Sequence, residues 1–179
     1  MRNCEKRLFA ALLASLIAVA IASPAIGGPL DDATAALEHG DYLVALRLLR
    51  PLADRSVAEA QHELGFMYFN GMGVPQDYVE AVKWYRLAAD QGLADAQYDL
   101  GVMYTSGQGV PQSYVLAHMW LNLAAAQIPA SRKEDRDNAV KARDLIAAKM
   151  TPEQIAEAQK LAREWKPKQA EAGILISPR

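Results

Sequence analysis

Two 32-residue stretches that repeat at an offset of 36 residues decide the fold of this chain. Residues 60–91 read AQHELGFMYFNGMGVPQDYVEAVKWYRLAADQ, and residues 96–127 read AQYDLGVMYTSGQGVPQSYVLAHMWLNLAAAQ. The two stretches are identical at 19 of 32 positions, and residues 41–64 match residues 77–100 more faintly, at 10 of 24. Self-similarity at such a period indicates stacked copies of one supersecondary unit.

Each copy predicts a helix, a short loop and a second helix. In the first helix, Ala60, Leu64 and Met67 recur at the spacing of one helical face. Gly71 is expected to end that helix, and Asp77 is a good N-cap for the next one. Because the connections are short, neighbouring helices should be antiparallel. The sequence therefore predicts an all-α protein.

The repeat closely resembles the Sel1-like repeat, a relative of the tetratricopeptide repeat. The family pattern LG-x-MY-xx-G-x-GV is present at residues 64–74, and the pattern WY-xx-AA-x-QG at residues 84–92. The resemblance covers roughly residues 41–127 and implies a right-handed α-α superhelix, a solenoid of Sel1-like or tetratricopeptide-like helix pairs. The leading unit lacks the Gly-x-Gly-Val-Pro-Gln loop, so it looks nearer a plain tetratricopeptide pair.

The period also predicts how the chain is organised. We expect three repeats within residues 30–128, namely a degenerate one at 30–56 and two strong ones at 57–92 and 93–128. A solenoid needs end units with a polar outer face, and residues 131–166 are predicted to supply C-terminal capping helices, with Trp165 covering the last repeat. Residues 167–179 are rich in Lys, Gln, Pro and Gly and are expected to form a loose tail.

Residues 1–27 are predicted to be a signal peptide. Arg2, Lys6 and Arg7 precede an apolar run over residues 8–22, and small residues suit cleavage after Ala22 or Gly27. The expected location is therefore periplasmic, with no membrane span after cleavage. Secretion, or anchoring in the membrane by an uncleaved signal, remains the alternative, although 15 apolar residues fall short of the roughly 20 that span a bilayer.

Composition and charge exclude several classes of protein. The formal net charge is −2, and removal of the signal would make it −4, so nothing favours nucleic-acid binding. Cys4 is the single cysteine and lies in the signal, so no internal disulfide is expected. No cluster of Cys and His has the spacing of a metal site, and neither a metal nor a cofactor is predicted.

No motif for catalysis is present, so no catalytic residue is assigned. His39, His62 and His118 are scattered, and the Gly-x-Gly pairs follow helices and recur with the repeat, as turns do. Trp84 and Trp120 occupy equivalent positions and are expected in the core. The charged residues around Glu134 are interpreted as a solvated helix face with pairs such as Asp137–Lys141.

A partner-binding surface is the remaining candidate site. By resemblance to tetratricopeptide repeats, the first helix of each pair lines a concave groove. This places one set of side chains on the inner face, with the following as predicted site residues: His62, Phe66, Phe69, Asn70, Tyr98, Val102 and Thr105, beside Glu59, Asp95 and Ser106. Aromatic residues are common at interface hot spots. The alternative is that Phe66 and Phe69 pack between neighbouring first helices.

Three functions follow from the resemblance. The first is a non-catalytic, exported scaffold or adaptor that binds a protein or peptide partner in the cell envelope. The second is β-lactam binding or hydrolysis, which is linked to a cysteine-rich branch of the family, but residues 57–128 lack the cysteine pair of that branch. The third is a membrane-tethered partner of an envelope machine. The partner's identity and the oligomeric state are not predicted.

Overall fold

The computed structural model describes residues 27–168, and these residues form helices and no strand. Signal-peptide residues 1–26 and tail residues 169–179 lie outside the described part of the chain. Eight α-helices follow one another, and their bounds are α1 Pro29–Glu38, α2 Tyr42–Asp54, α3 Ala58–Asn70, α4 Tyr78–Asp90, α5 Ala94–Ser106, α6 Tyr114–Gln127, α7 Lys133–Ala147 and α8 Pro152–Glu164. A single 3₁₀ turn, Ala130–Arg132, precedes α7.

The helices pack in chain order as pairs. α1 packs on α2, α3 on α4 and α5 on α6, and the second helix of each pair packs on the first helix of the next. This sequential packing confirms the predicted solenoid of helix pairs. Its consequence is that α3, α5 and α7 occupy successive first-helix positions, so their side chains can build one shared surface.

The loop inside each repeat is closed by its own side chains. Gly71 ends α3 with φ of 70°, in the left-handed region that favours glycine. The Gln76 side chain then donates to the carbonyl of Phe69 at 2.8 Å, and the Asp77 carboxylate accepts from two backbone N–H groups at the start of α4. In the next repeat, Gln112 makes the equivalent loop hydrogen bond, and Ser113 is the equivalent N-cap. The predicted N-cap at Asp77 is therefore confirmed.

Consecutive repeats approach closely at the second glycine of each loop. A Cβ on Gly109 would lie 2.2 Å from the carbonyl oxygen of Tyr78, at the start of α4. Gly109 also has φ of 69°, so both the space and the backbone require glycine there. The loop of one repeat is thus seated on the N-terminus of the second helix of the preceding repeat.

Equivalent positions of the two repeats are buried in the core. Leu64 and Met67 are fully buried in α3, and Leu100 and Met103 take their places in α5. Trp84 and Trp120 are buried as well, as expected from their equivalent positions. Alanine is the commonest buried hydrophobic residue within residues 27–168, and its small side chain lets paired helices lie close together.

The last two helices depart from the repeat. Both α7 and α8 pack against α6. Thr151 and Gln154 form a capping box that starts α8. After α8, the Trp165 ring meets that of Trp120 edge-on, with ring centroids 6.2 Å apart. An additional hydrophobic side chain therefore covers the outer side of α6.

Two expectations for this region need correction. Asp137 pairs with Lys133, one turn before it, and not with Lys141, since residues four positions before and after Asp137 both lie on its face of the helix. Lys168, which we assigned to the loose tail, is held by α4. Its backbone N–H donates to the carbonyl oxygen of Asp90 at 2.7 Å, and its ammonium lies 2.6 Å from the Asp90 carboxylate.

Candidate partner-binding groove

The outward faces of α3, α5 and α7 form one continuous surface, here called the first-helix groove. Large apolar side chains are exposed on each of the three helices. Phe66 on α3 is 39% exposed, Val102 on α5 is 37% exposed and Leu145 on α7 is 62% exposed. Exposed apolar groups that line up across neighbouring elements mark interaction surfaces in soluble proteins.

A small cavity lies between α3 and α5. Its volume is about 120 Å³, and its walls are apolar and aromatic apart from two polar side chains, as the lining residues show: Phe66, Phe69, Asn70, Tyr85, Asp99, Val102 and Met103. A second cavity of about 250 Å³ lies between α5 and α7 and is lined by Val102, Thr105, Leu121, Ala142, Leu145, Ile146 and Lys149. Val102 belongs to both, so the two cavities are neighbours.

A hydrogen bond joins the first two helices of the groove. His62 Nε2 on α3 lies 2.8 Å from Oδ2 of Asp99 on α5, and His62 Nδ1 lies 3.9 Å from Glu63. The His62 ring also packs against Tyr85 with centroids 5.6 Å apart. Burial lowers the pKa of His62, but the hydrogen bond and charge of Asp99 outweigh it, and the pKa is raised. The proximity of Asp99 therefore favours the imidazolium.

The pKa of the neighbouring Glu63 carboxyl group depends on both burial and the charge of His62. Burial raises the pKa of Glu63, and the charge of His62 opposes that shift. His62 is thus shared by two carboxyl groups, one from its own helix and one from the next.

A second shared cation joins α5 to the C-terminal helices. The Arg132 guanidinium donates to both carboxylate oxygens of Asp95, at 2.8 and 3.0 Å, and its Nε donates to Asp135 at 2.7 Å. The hydrogen bond from Arg132 holds the pKa of Asp95 below its usual range. A bidentate pair of this kind fixes the relative orientation of the two side chains in addition to pairing their charges. It orients the start of α7 against the start of α5.

The apolar and aromatic residues predicted for the site have three different environments in the structure. Phe66 and Val102 are exposed in the groove, while Phe69 is partly buried and packs against Tyr78 with centroids 5.3 Å apart. Tyr78 is on α4, the second helix of the same repeat, and Phe69 also lines the cavity between α3 and α5. The binding role of the two phenylalanines stays a prediction. Tyr98 lies away from them, beside Asp95 and Arg132 in a cavity of about 140 Å³.

The predicted polar residues are engaged with their own helices. The Asn70 amide donates to the carbonyl of Phe66 at 3.0 Å, and the Thr105 hydroxyl donates to that of Gly101 at 2.8 Å. They still line the groove, Asn70 in the first cavity and Thr105 in the second. The His62 ring is hydrogen-bonded to Asp99 on α5.

Sequence reasoning missed Asp99 and Leu145 in the groove, and Arg132 in the separate cavity beside Asp95 and Tyr98. A signal existed for Asp99, because an acid follows His62 at Glu63 and recurs one repeat later. Arg132 stands where the repeat pattern has Ala96, a departure that marked it as unusual. Leu145 is on a helix outside the repeat, so no repeat position pointed to it.

Two observations concern other kinds of site. Within residues 27–168, no group of three His, Cys, Asp or Glu side chains is arranged to hold a metal ion. No helix in that range is long and apolar enough to cross a membrane.

Comparison with known proteins identifies the repeat. The family model of the Sel1 repeat matches residues 58–93 and 94–128. The chain therefore contains two Sel1 repeats, which confirms the resemblance in sequence. Sel1 repeats suggest a protein-interaction scaffold. No curated protein matches the sequence.

Two solved structures share the fold. One is c5321, a protective antigen of uropathogenic Escherichia coli displaying an SLR fold, at 28% identity and a TM-score of 0.71, covering 79% of this chain and 30% of that one. The other is a Sel1 repeat protein from Oxalobacter formigenes, at 23% identity and a TM-score of 0.55, covering 75% of this chain and 61% of that one. This chain thus spans less than two thirds of either protein.

Proposed function

We propose that this protein is a non-catalytic scaffold or adaptor whose first-helix groove binds a segment of a partner protein. The observation that supports this most directly is the row of exposed Phe66, Val102 and Leu145 on three successive first helices. Full burial of an exposed side chain of this kind is worth about 1.5–3 kcal/mol, and Phe66, Val102 and Leu145 can still gain the part that corresponds to their exposed fractions. A bound segment that covers the row recovers part of that energy.

The experiment compares groove variants with a matched variant elsewhere. Phe66→Ala and Leu145→Ala remove exposed apolar groups from the groove, and Val79→Ala removes one of similar exposure (67%) from α4, where it does not line the groove. A photo-crosslinking residue at position 102 should capture a partner in the cell. Phe66→Ala and Leu145→Ala should each lower that yield at unchanged helical circular dichroism, and Val79→Ala should not.

Equal capture from positions 79 and 102, or a yield at position 102 that survives both groove variants, would contradict the groove as the binding surface. Position 69 is unsuited to the test, because Phe69 packs against Tyr78 and its truncation would disturb the core.

We further propose that the protein acts in the cell envelope after export. The support is the basic start and apolar run of residues 1–22, in a pattern typical of secretory signals. Intact-mass analysis of the exported protein tests it: loss of the first 22 to 27 residues is expected, and a full-length mass in the membrane fraction would favour a tethered form instead.

The absence of catalysis is also part of the proposal. Its support is that the two Sel1 repeats lack the cysteine pairs of the β-lactam-active branch. We expect the purified protein not to hydrolyse nitrocefin, and turnover above that of a heat-denatured sample would contradict this.

A further inference from the structure

The two neighbouring cavities of the first-helix groove differ in their chemistry. The cavity between α3 and α5 has aromatic and aliphatic walls from Phe66, Phe69 and Val102, and it also exposes the carboxylate of Asp99, whose side chain is 34% accessible. Asp99 uses Oδ2 for His62 at 2.8 Å. A carboxylate set among aromatic faces is the environment that suits a Lys or Arg side chain, since the rings attract the cation and the wall covers its aliphatic stem.

The charges around this cavity have an acidic excess. Each of two cations is shared by two carboxyl groups: Arg132 by Asp95 and Asp135, and His62 by Glu63 and Asp99. Even with His62 protonated, each group of three has one more negative than positive charge. The two groups lie side by side, because Asp95 also acts on His62 through its charge. This potential attracts a cation and repels an anion.

The cavity between α5 and α7 is apolar by contrast. Of its lining residues only Lys149 is charged, and its ammonium lies over the ring of Tyr114, 5.8 Å from the centroid. Leu121 and Ile146 form part of the wall, and both are buried. An aliphatic or aromatic side chain fits this environment.

We propose that the groove recognises a partner segment in which a Lys or Arg side chain enters the α3–α5 cavity beside Asp99 and an apolar side chain enters the α5–α7 cavity. This deepens the proposed function and rests on it. Val102 on α5 lines both cavities, and alternate side chains of an extended chain point to the same face, so the two partner side chains should be two or four residues apart.

An acidic segment is the opposite choice, and the contacts of the basic groups disfavour it. The Arg132 guanidinium is already bonded to two carboxylates, and Lys149 is directed at Tyr114. An acidic side chain near Asp99 would meet like charge within the same cavity, which is unfavourable in a partly desolvated site.

The test selects peptides on the purified protein covering residues 28–179. A phage-displayed library of random 12-residue peptides is the probe. Enriched sequences should contain a Lys or Arg two or four residues from a large apolar residue. Asp99→Asn should weaken the selected peptides about tenfold, as expected for loss of a charge-assisted contact. The amide oxygen of the variant can still accept from His62 Nε2, so the helix contact is kept.

The matched control is Glu157→Gln, which removes one negative charge from the exposed surface of α8. It should leave the affinity unchanged, and replacement of the peptide's basic residue by Gln should lose no further affinity in the Asp99→Asn variant. Peptides that depend on Phe66 but lack a basic residue, or that bind Asp99→Asn as well as the parent, overturn this inference and leave the proposed function standing. Peptides whose binding survives Phe66→Ala overturn the proposed function itself.

Discussion

The imidazole of His62 and the carboxylate of Asp99 lie 2.8 Å apart and join the first helices of two successive repeats. The pair is 37 residues apart in sequence, one residue more than the repeat period. Stacking of repeats therefore contributes a polar link on the groove side, in addition to the apolar contacts that bury Leu64 and Leu100.

This pair predicts a dependence of stability on pH. The pKa of His62 is raised in the folded protein, so its contribution is complete below about 6.5 and is lost as pH rises through the folded pKa. We expect the parent protein to lose more unfolding free energy between pH 6.5 and 8.5 than Asp99→Asn does. Urea unfolding at several pH values, with an NMR titration of the His62 ring, measures both quantities.

The pKa shift of His118 affects stability in the opposite direction to that of His62. His118 is present in both the parent protein and the Asp99→Asn variant. Burial, with the positive charge of Arg143, lowers the pKa of His118, so its stabilising contribution is lost on acidification. Because His118 contributes about equally to the pH dependence of both proteins, its contribution cancels when the two pH dependences are subtracted. Equal pH dependence in the two proteins would show that Asp99 does not control the titration of His62.

A second prediction concerns the close contact of α3 with α4. A Cβ on Gly65 would lie 2.6 Å from the ring of Tyr85, and one on Gly101 would lie 2.7 Å from Leu121, the equivalent position. Gly65→Ala should therefore destabilise the protein by about 1–3 kcal/mol through overpacking, although alanine favours helix formation. Chemical denaturation measures the loss.

Gly28→Ala serves as the control, because a Cβ on Gly28 meets nothing within 4 Å and its φ is −77°. Because Gly28 is the N-cap of α1, where alanine is less favoured than glycine, the variant should still lose up to about 1 kcal/mol, which is less than overpacking at Gly65 should cost. If Gly65→Ala cost no more than Gly28→Ala, the ring of Tyr85 would not be fixed against α3.

A third prediction concerns Arg132 and Asp95. Their side chains are 45% and 38% exposed, so solvent weakens the pair in spite of its two hydrogen bonds. In a double-mutant cycle with Arg132→Gln and Asp95→Asn, we expect a coupling energy below about 1 kcal/mol that falls as salt is added. A salt-independent coupling would contradict an electrostatic origin.

A fourth prediction concerns the cover over α6. Trp165 is half-buried and meets Trp120 edge-on. Trp165→Ala should cost about 2 kcal/mol, less than a fully buried tryptophan, since part of the ring already faces water. Trp165→Phe should recover about half of the loss. Thermal unfolding measures the stability, and an unchanged melting temperature for Trp165→Ala would show that the contact does not support α6.

Much of the fold was predictable from local sequence. Gly71 and Asp77 act on backbone within a few residues, and the structure shows the helix end and the N-cap that they predict. The groove was only partly predictable. Phe66 and Phe69 look alike in sequence and lie only about 60° apart around the helix axis, but Phe66 is exposed and Phe69 packs on Tyr78, because that offset brings Phe69 nearer to α4.

By itself, the sequence determined the repeat period, the helix pairs and the residues that terminate them, since these depend on contacts within one unit or on its regular recurrence. Only the tertiary structure decided which side chains meet across units. Asp99 became a groove residue because α5 brings it beside His62 on α3, and the turn before α7 brings Arg132 beside Asp95 on α5. Such pairings depend on how far one helix is rotated and shifted against the next, and no local pattern specifies that.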